Sequence, residues 1–451
     1  VTATSATPVF DAGSSDDDRS TPRRSAPRSA VPILALLALF SIVNFGDKAV
    51  LGLAGPSITS DLGLSNTDFG AIGSAFYLLF SLSALLVGLF GGHWPAGWLL
   101  SAMALVWSAA QLPILLPAAG FGVLLVTRVI LGAGEGPGLP MANHVAFTWF
   151  PAAERTTVAG VITLGGALGV IIGGPLLALA ITFAGWRWAF GLLGAAGLAW
   201  TVAWLRFGGE GPFSANSVQN QTHSPAEAEP TPSPEAVPSA GIPIGRILMS
   251  PTWLAAALAG FTGNWALGLG FSWLPTFLEH QGGYRSTTVG FLIGLPSLVA
   301  VISVPTVVYL AYRRRKAGRS SHSTYALLGF SAAFVPACGL FAMTVGLHGT
   351  ALLISVAIAF GAGIALAPLT SSAIADLVPV ERRSLALCIG TAISSLGAVV
   401  SPWATGRLLD LASSERVGFE YAFRLAAGLA LFGGICLLFL NPERDGPRLT
   451  R

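Results

Sequence analysis

Apolar residues run along this chain in twelve long blocks, near 31–58, 66–91, 97–116, 120–149, 155–183, 186–207, 251–279, 287–312, 323–346, 349–378, 383–409 and 420–440. Each block is about the 20 residues that a helix needs to cross a hydrocarbon core. None shows the strict alternation of a half-buried strand, so each predicts a helix that is apolar around most of its circumference. The longest polar interruption is 208–250, which contains QTHSPAEAEPTPSPEAVPS. A stretch so rich in Pro, Glu and Ser cannot build a core and reads as a cytoplasmic linker between two six-helix halves, 31–207 and 251–440. Residues 1–30 are rich in Ser, Thr, Pro and Arg with an acidic run at Asp16–Asp18, and lack the apolar core and cleavage site of a signal peptide. They are expected to form a disordered cytoplasmic tail, and 441–451 a second, short one. The fold class is therefore all-α integral membrane, with 12 transmembrane helices in two six-helix halves.

Composition agrees. Hydrophobic residues make up 53% of the chain and charged residues only 10%, against about 25% in soluble domains; the mean hydropathy is +0.70. The net charge is +3, carried by residues flanking the spans and not by a stripe suited to nucleic acid. With the N-terminus inside, 17 of the 24 Lys and Arg fall on cytoplasmic segments, notably Arg313, Arg314, Arg315, Lys316 and Arg319. That bias places both termini in the cytoplasm. Cys338, Cys388 and Cys436 lie inside apolar spans without metal-like spacing and read as packing residues. No nucleophile–base pair or multi-histidine cluster supports an enzyme.

The halves share a pattern. Glu154-Arg155 precedes the fifth span and Glu381-Arg382 the eleventh; a proline follows each glutamate by 21 residues, at Pro175 and Pro402. One offset of 227 residues aligns both features, as expected of parallel six-helix repeats in transporters.

Against this apolar background four charges stand out. Asp47 and Lys48 interrupt VPILALLALFSIVNFGDKAVLGLAGPSI, and Arg128 and Glu135 lie in VLLVTRVILGAGEGPGLPMANHVAFTWF. The chain has 22 arginines and two lysines, so Lys48 is not compositional habit. Arg128 and Glu135 share a helix face but differ in depth by ~10 Å, too far to pair with each other. Antiparallel spans bring all four into the central and outer part of the N-terminal half. In the C-terminal half no charge is expected within a span, only residues such as Asp376 and Arg407 near span ends. A neutral network that merely fixes packing would also sum to zero. Packing does not require charge, however, since apolar groups often replace buried ion pairs without loss. Charges at bilayer depth mark transport paths. Lys48 and Arg128 suit a carboxylate substrate, and Asp47 and Glu135 suit proton coupling.

These same segments carry a family resemblance. NFGDKAVLGLAGPSITSDLGLS, TRVILGAGEGPGLP, WFPAAER and GWRWAF resemble the anion:cation symporter branch of the major facilitator superfamily, which includes D-galactonate and glucarate transporters and, more distantly, sialin and vesicular glutamate transporters. The resemblance implies the major facilitator fold, with Asp47 and Glu135 at proton-coupling positions. It puts Lys48 where a substrate-binding arginine is usual and Arg128 at the family's arginine of the fourth span. There are departures. The loop after the second span, Gly88-Leu-Phe-Gly-Gly92-His93-Trp-Pro-Ala-Gly97, lacks the usual aspartate and arginines, and YLAYRRRKAGRS after the eighth keeps arginines without an aspartate. Phe80 replaces a cavity tyrosine, with Tyr77 one turn earlier. Gly166, Ser395 and Ser371, the last beside Thr370, stand where larger polar or aromatic groups are usual. Fewer amide donors favour a less hydroxylated or aromatic carboxylate over a sugar acid.

Other polar features divide between site and packing. Trp273 belongs at the cavity or in the outer aromatic belt, and Asn264 suits substrate contact or a helix–helix hydrogen bond. Gly132, Gly134 and Gly136 suggest close packing and not a phosphate loop. The expected activity is proton-coupled import of a small organic anion by alternating access, in a monomer of a bacterial inner membrane, with no cofactor beyond the proton and no nucleic-acid partner. Efflux of an amphiphile by antiport, or a transport-deficient sensor, are the alternatives.

Overall fold

A computed structural model of the chain describes residues 30–90, 94–151, 154–212, 243–378 and 380–449. The N-terminal tail up to residue 29, the linker interior 213–242, His93 with the rest of 91–93, and the side chain of Glu381 lie outside the described residues.

Among the described residues twelve helices are long and apolar enough to cross a membrane: Ala30–Leu62, Asn66–Val87, Ala96–Leu115, Phe121–Trp149, Thr157–Ala184, Trp186–Phe207, Pro251–His280, Ser286–Lys316, Ser321–Ala342, Gly349–Leu377, Leu385–Leu411 and Glu415–Leu437. They are called the first to twelfth spans below. Every regular element among the described residues is helical. Proline and glycine set the interruptions. In the fourth span helix Phe121–Glu135 gives way to Gly138–Trp149, because Pro137 has no N–H for the Ala133 carbonyl. The tenth span tightens into a 3-10 turn at Ala362–Ala365 before Leu366–Leu377. These two breaks sit at equivalent places of the sequence repeat.

Glycines bring the fourth span against its neighbours. A methyl group at Gly132 would overlap the Phe76 carbonyl, and one at Gly136 the Phe80 carbonyl, both on the second span. This close approach is what carries Arg128 and Glu135 toward the second and first spans.

The halves meet along the repeat's two equivalent pairs of spans, the second with the eleventh and the fifth with the eighth. At the first seam Gly70 lies on the Pro402 carbonyl and Gly406 on the Asn66 carbonyl; at the second, Gly174 lies on the Gly290 carbonyl. Trp273 of the seventh span, 1% exposed, donates from Nε1 to the Pro402 carbonyl at 2.9 Å and stacks edge-on against Phe69 at 5.1 Å. These contacts lie toward the end of the bundle remote from the termini. Asp410 closes that end: its carboxylate accepts from the Asn66 N–H at 3.2 Å and Nδ2 at 3.0 Å, the Thr67 N–H at 2.8 Å and the Thr67 hydroxyl. It thus caps the N-terminus of the second span from the opposite half. Removing a helix cap costs roughly 1 kcal/mol, so Asp410→Ala is expected to loosen this closure by about fivefold in population. Spin labels at Ala118 and Ser413, in a background lacking the three cysteines, should report a longer mean separation. An unchanged distance distribution would show that the cap does not hold the halves.

Several charges sit differently from the sequence expectation. Against the expectation of no charge within a C-terminal span, Glu420 and Arg424 lie within helix Glu415–Leu437. They are tolerated there because Glu420 pairs with Arg424 at 3.3 Å and Arg416 at 3.4 Å near the helix start. The arginine run after the eighth span does find an aspartate, from the tenth: Arg315 Nη1 lies 2.8 Å from Asp376 Oδ2, and the Tyr325 hydroxyl donates to the same oxygen at 2.8 Å. Both ends of the linker are anchored. The Gly211 N–H donates to the Thr148 hydroxyl at 2.8 Å and Trp149 Nε1 to the Gly209 carbonyl at 2.8 Å, while Ile247 is buried in the C-terminal half. The last helix, Pro442–Leu449, also packs back. Asp445 accepts from Thr252 Oγ1 at 2.8 Å and Arg444 Nε at 2.8 Å. Burial pushes the Asp445 carboxyl up, but those hydrogen bonds prevail and hold it below the usual range.

Candidate functional site

Asp47, Lys48, Arg128 and Glu135 converge behind the seam. Asp47, Arg128 and Glu135 are at most 1% exposed. Lys48 Nζ donates to Glu135 Oε2 at 2.7 Å and to Asn44 Oδ1 at 2.6 Å. Asn44 is four residues before Lys48, so one turn of the first helix places the amide under the ammonium. The rings of Phe45, Phe76 and Phe80 surround Nζ with centroids at 5.0, 5.8 and 5.4 Å. Their faces favour a cation where water is scarce.

The second pair of charges is arranged otherwise. Asp47 Oδ1 accepts from Gln111 Nε2 of the third span at 2.6 Å, while Oδ2 has no hydrogen-bond partner. The Arg128 guanidinium lies over Phe190, 4.7 Å from the ring centroid, and its Nε and Nη2 have no hydrogen-bond partner. Buried donors and acceptors are nearly always satisfied, yet these open groups belong to two residues that line one cavity. That cavity lies between the halves, has only about 10 Å³ of free space and is lined by Asp47, Lys48, Leu51, Gly73, Phe76, Tyr77, Arg128, Phe271 and Ser272. That is about the room one water needs, so the site is shut in this state.

The other candidates are placed less uniformly. Tyr77 forms part of the wall, and Phe80 stands behind Lys48. Trp273 lies in the seam, next to cavity residue Ser272 and not in an aromatic belt. Asn264 Nδ2 donates to the Gly260 carbonyl at 2.9 Å, within its own helix. Thr370 and Ser395 are buried and bond back to Leu366 and Thr391, and Ser371 is exposed. Among the described residues none of these four lines the closed cavity. Sequence reading missed Gln111, Asn44, Phe271 and Ser272. Asn44 was detectable from its spacing to Lys48, and Gln111 as an amide within the apolar run VWSAAQLPILL. Phe271 and Ser272 had no local signal, because their place depends on how the halves meet.

Twelve helices in two repeated halves, with a charged cavity at the junction, define a secondary membrane transporter and not an enzyme. The sequence profile of the Major Facilitator Superfamily matches residues 37–363 and 337–451, and the chain belongs to that family. It is 28% identical over 431 residues to a hexuronate transporter of Bacillus subtilis strain 168, covering 94% of this chain and 97% of the relative. It is 26% identical over 415 residues to a probable sulfoacetate transporter of Cupriavidus necator, covering 91% and 93%. These relatives set it beside the anion:cation symporter branch that its first and fourth spans resemble. Its fold matches a bacterial homologue of the human lysosomal transporter Spinster, solved inward-facing and occupied, with a TM-score of 0.70, 16% identity, and coverage of 93% and 98%.

Proposed function

We propose that the protein imports a small organic anion together with protons by alternating access. The observation that carries this is the Lys48–Glu135 bond, 2.7 Å long, beside a cavity where Arg128 keeps open donors. An incoming carboxylate or sulfonate binds the Arg128 fork and competes for Lys48. Glu135, losing its partner in a buried site, takes a proton so that no uncompensated charge remains. Asp47, with one oxygen open to the same cavity, is the second proton carrier. With both termini in the cytoplasm, the end closed by Asp410 and the Gly70–Pro402 contact is the outer one. The relatives' substrates extend the choice to hexuronates and sulfoacetate. The cavity wall, with Phe76, Tyr77, Phe271 and a single serine from the opposite half, favours compact anions with few hydroxyls.

Proteoliposomes with an imposed pH gradient test the reading. Glucuronate, sulfoacetate or benzoate outside should trigger proton influx and accumulate inside. Proton release on anion binding would instead indicate antiport, and binding without accumulation a sensor. If neutral analogues bind and no anion does, the assignment fails. Lys48→Arg tests the cation: a planar fork replaces a rotatable point charge inside a ring of three phenylalanines. Affinity and selectivity among the three anions are expected to change by roughly tenfold. Kinetics identical to wild type would remove Lys48 from the site.

A further inference from the structure

Asp47 and Arg128 line one cavity and lie within electrostatic reach of each other, yet they do not bond. Nε and Nη2 of Arg128 and Oδ2 of Asp47 all lack hydrogen-bond partners. A buried guanidinium and carboxylate normally close into a two-pronged pair, since the low dielectric strengthens the attraction and each group satisfies the other. Something must hold them apart. Gln111, wholly buried, ends the α-helical part of the third span just before the 3-10 turn Leu112–Leu115. From there Nε2 donates to Asp47 Oδ1 at 2.6 Å. Its own Oε1 has no hydrogen-bond partner, so the bond to Asp47 is the one its side chain is committed to.

We propose that Gln111 is a positioning residue that draws Asp47 away from Arg128 and so keeps the guanidinium open for the transported anion. It is not part of the cavity wall and acts only through Asp47. Without it, the Asp47 carboxylate turns to Arg128 and occupies the anion site from within the protein. An internal carboxylate so close competes at high effective concentration with any free anion. The proposal rests on the anion-transport reading, and the experiment separates the two.

The full-length protein in nanodiscs is titrated with radiolabelled glucuronate, sulfoacetate and benzoate, and the anion that wild type binds is carried forward. Gln111→Leu is expected to weaken its binding at least about tenfold. Adding Asp47→Asn restores affinity to within about threefold of the Asp47→Asn single variant, because an amide cannot neutralise the guanidinium. A merely structural role for Gln111 predicts no such rescue. If the leucine variant does not fold, Gln111→Met, closer in length, takes its place. Unchanged affinity in the single variant, or a double variant as weak as Gln111→Leu alone, overturns the proposal while leaving anion transport standing. Wild type that binds none of the three anions overturns both.

Discussion

Glu135→Gln is expected to cut concentrative uptake sharply while leaving anion exchange intact. Glutamine keeps the shape of the side chain but cannot lose or gain a proton at neutral pH. Lys48, whose Nζ is 2.7 Å from Glu135 Oε2, then faces the cavity as an uncompensated cation. Removing one member of a buried pair costs about 3–5 kcal/mol, and an incoming anion recovers part of that by taking the vacant place. Anion binding should therefore become tighter and less dependent on pH. In the wild type, each proton taken up with the anion makes affinity fall about tenfold for each unit rise in pH. In the variant the proton of Glu135 drops out, so that slope falls by one unit and the pH gradient drives correspondingly less accumulation. Counterflow between equal anion pools continues, because it needs no net proton movement. Accumulation at the wild-type level would exclude Glu135 from coupling.

Gly70→Ala is the second large effect, and it acts on the halves instead of the charge. The added methyl would overlap the Pro402 carbonyl, a backbone atom that no side-chain rotation can move. Overpacking of this kind costs about 1–3 kcal/mol, all of it charged to the state in which the remote end is closed. Besides the core the halves share, each has a cluster largely of its own, so the fold is expected to survive. The population shifts by roughly five- to 150-fold toward the opposite state. Uptake should fall accordingly, and the Ala118–Ser413 separation should lengthen as it does for Asp410→Ala, but further. Gly406→Ala, which meets the Asn66 carbonyl across the same seam, should reproduce the result. Wild-type uptake in both variants would mean that the seam yields more easily than a backbone contact should.

Much of this was legible in the sequence. Helix number follows from span length, since the bilayer sets a fixed requirement. The 227-residue repeat, read from Pro175 and Pro402, anticipates the paired seams where Gly174 and Pro402 lie. Charges in apolar spans are conspicuous, so Asp47, Lys48, Arg128 and Glu135 announce themselves. Which cation meets which acid was not legible. Lys48 reaches Glu135 because Gly132 and Gly136 let the fourth span approach the second, and Arg128 stays open because Gln111 holds Asp47. Both depend on side-chain geometry between distant segments. The aspartate for Arg315 was hidden likewise, because Asp376 arrives from the tenth span and not from the adjacent loop.

The break at Gly136–Pro137 gives the fourth span the mechanics of a lever. Glu135 is the last residue of the upper segment, and the lower one, Gly138–Trp149, is joined to it without a continuous ladder of hydrogen bonds. At the far tip of that lower arm, Thr148 and Trp149 hold Gly211 and Gly209, where the chain departs for the other half. A change of partner at Glu135 is therefore delivered at a fulcrum, about ten residues, or ~15 Å, from the tether that joins the two halves.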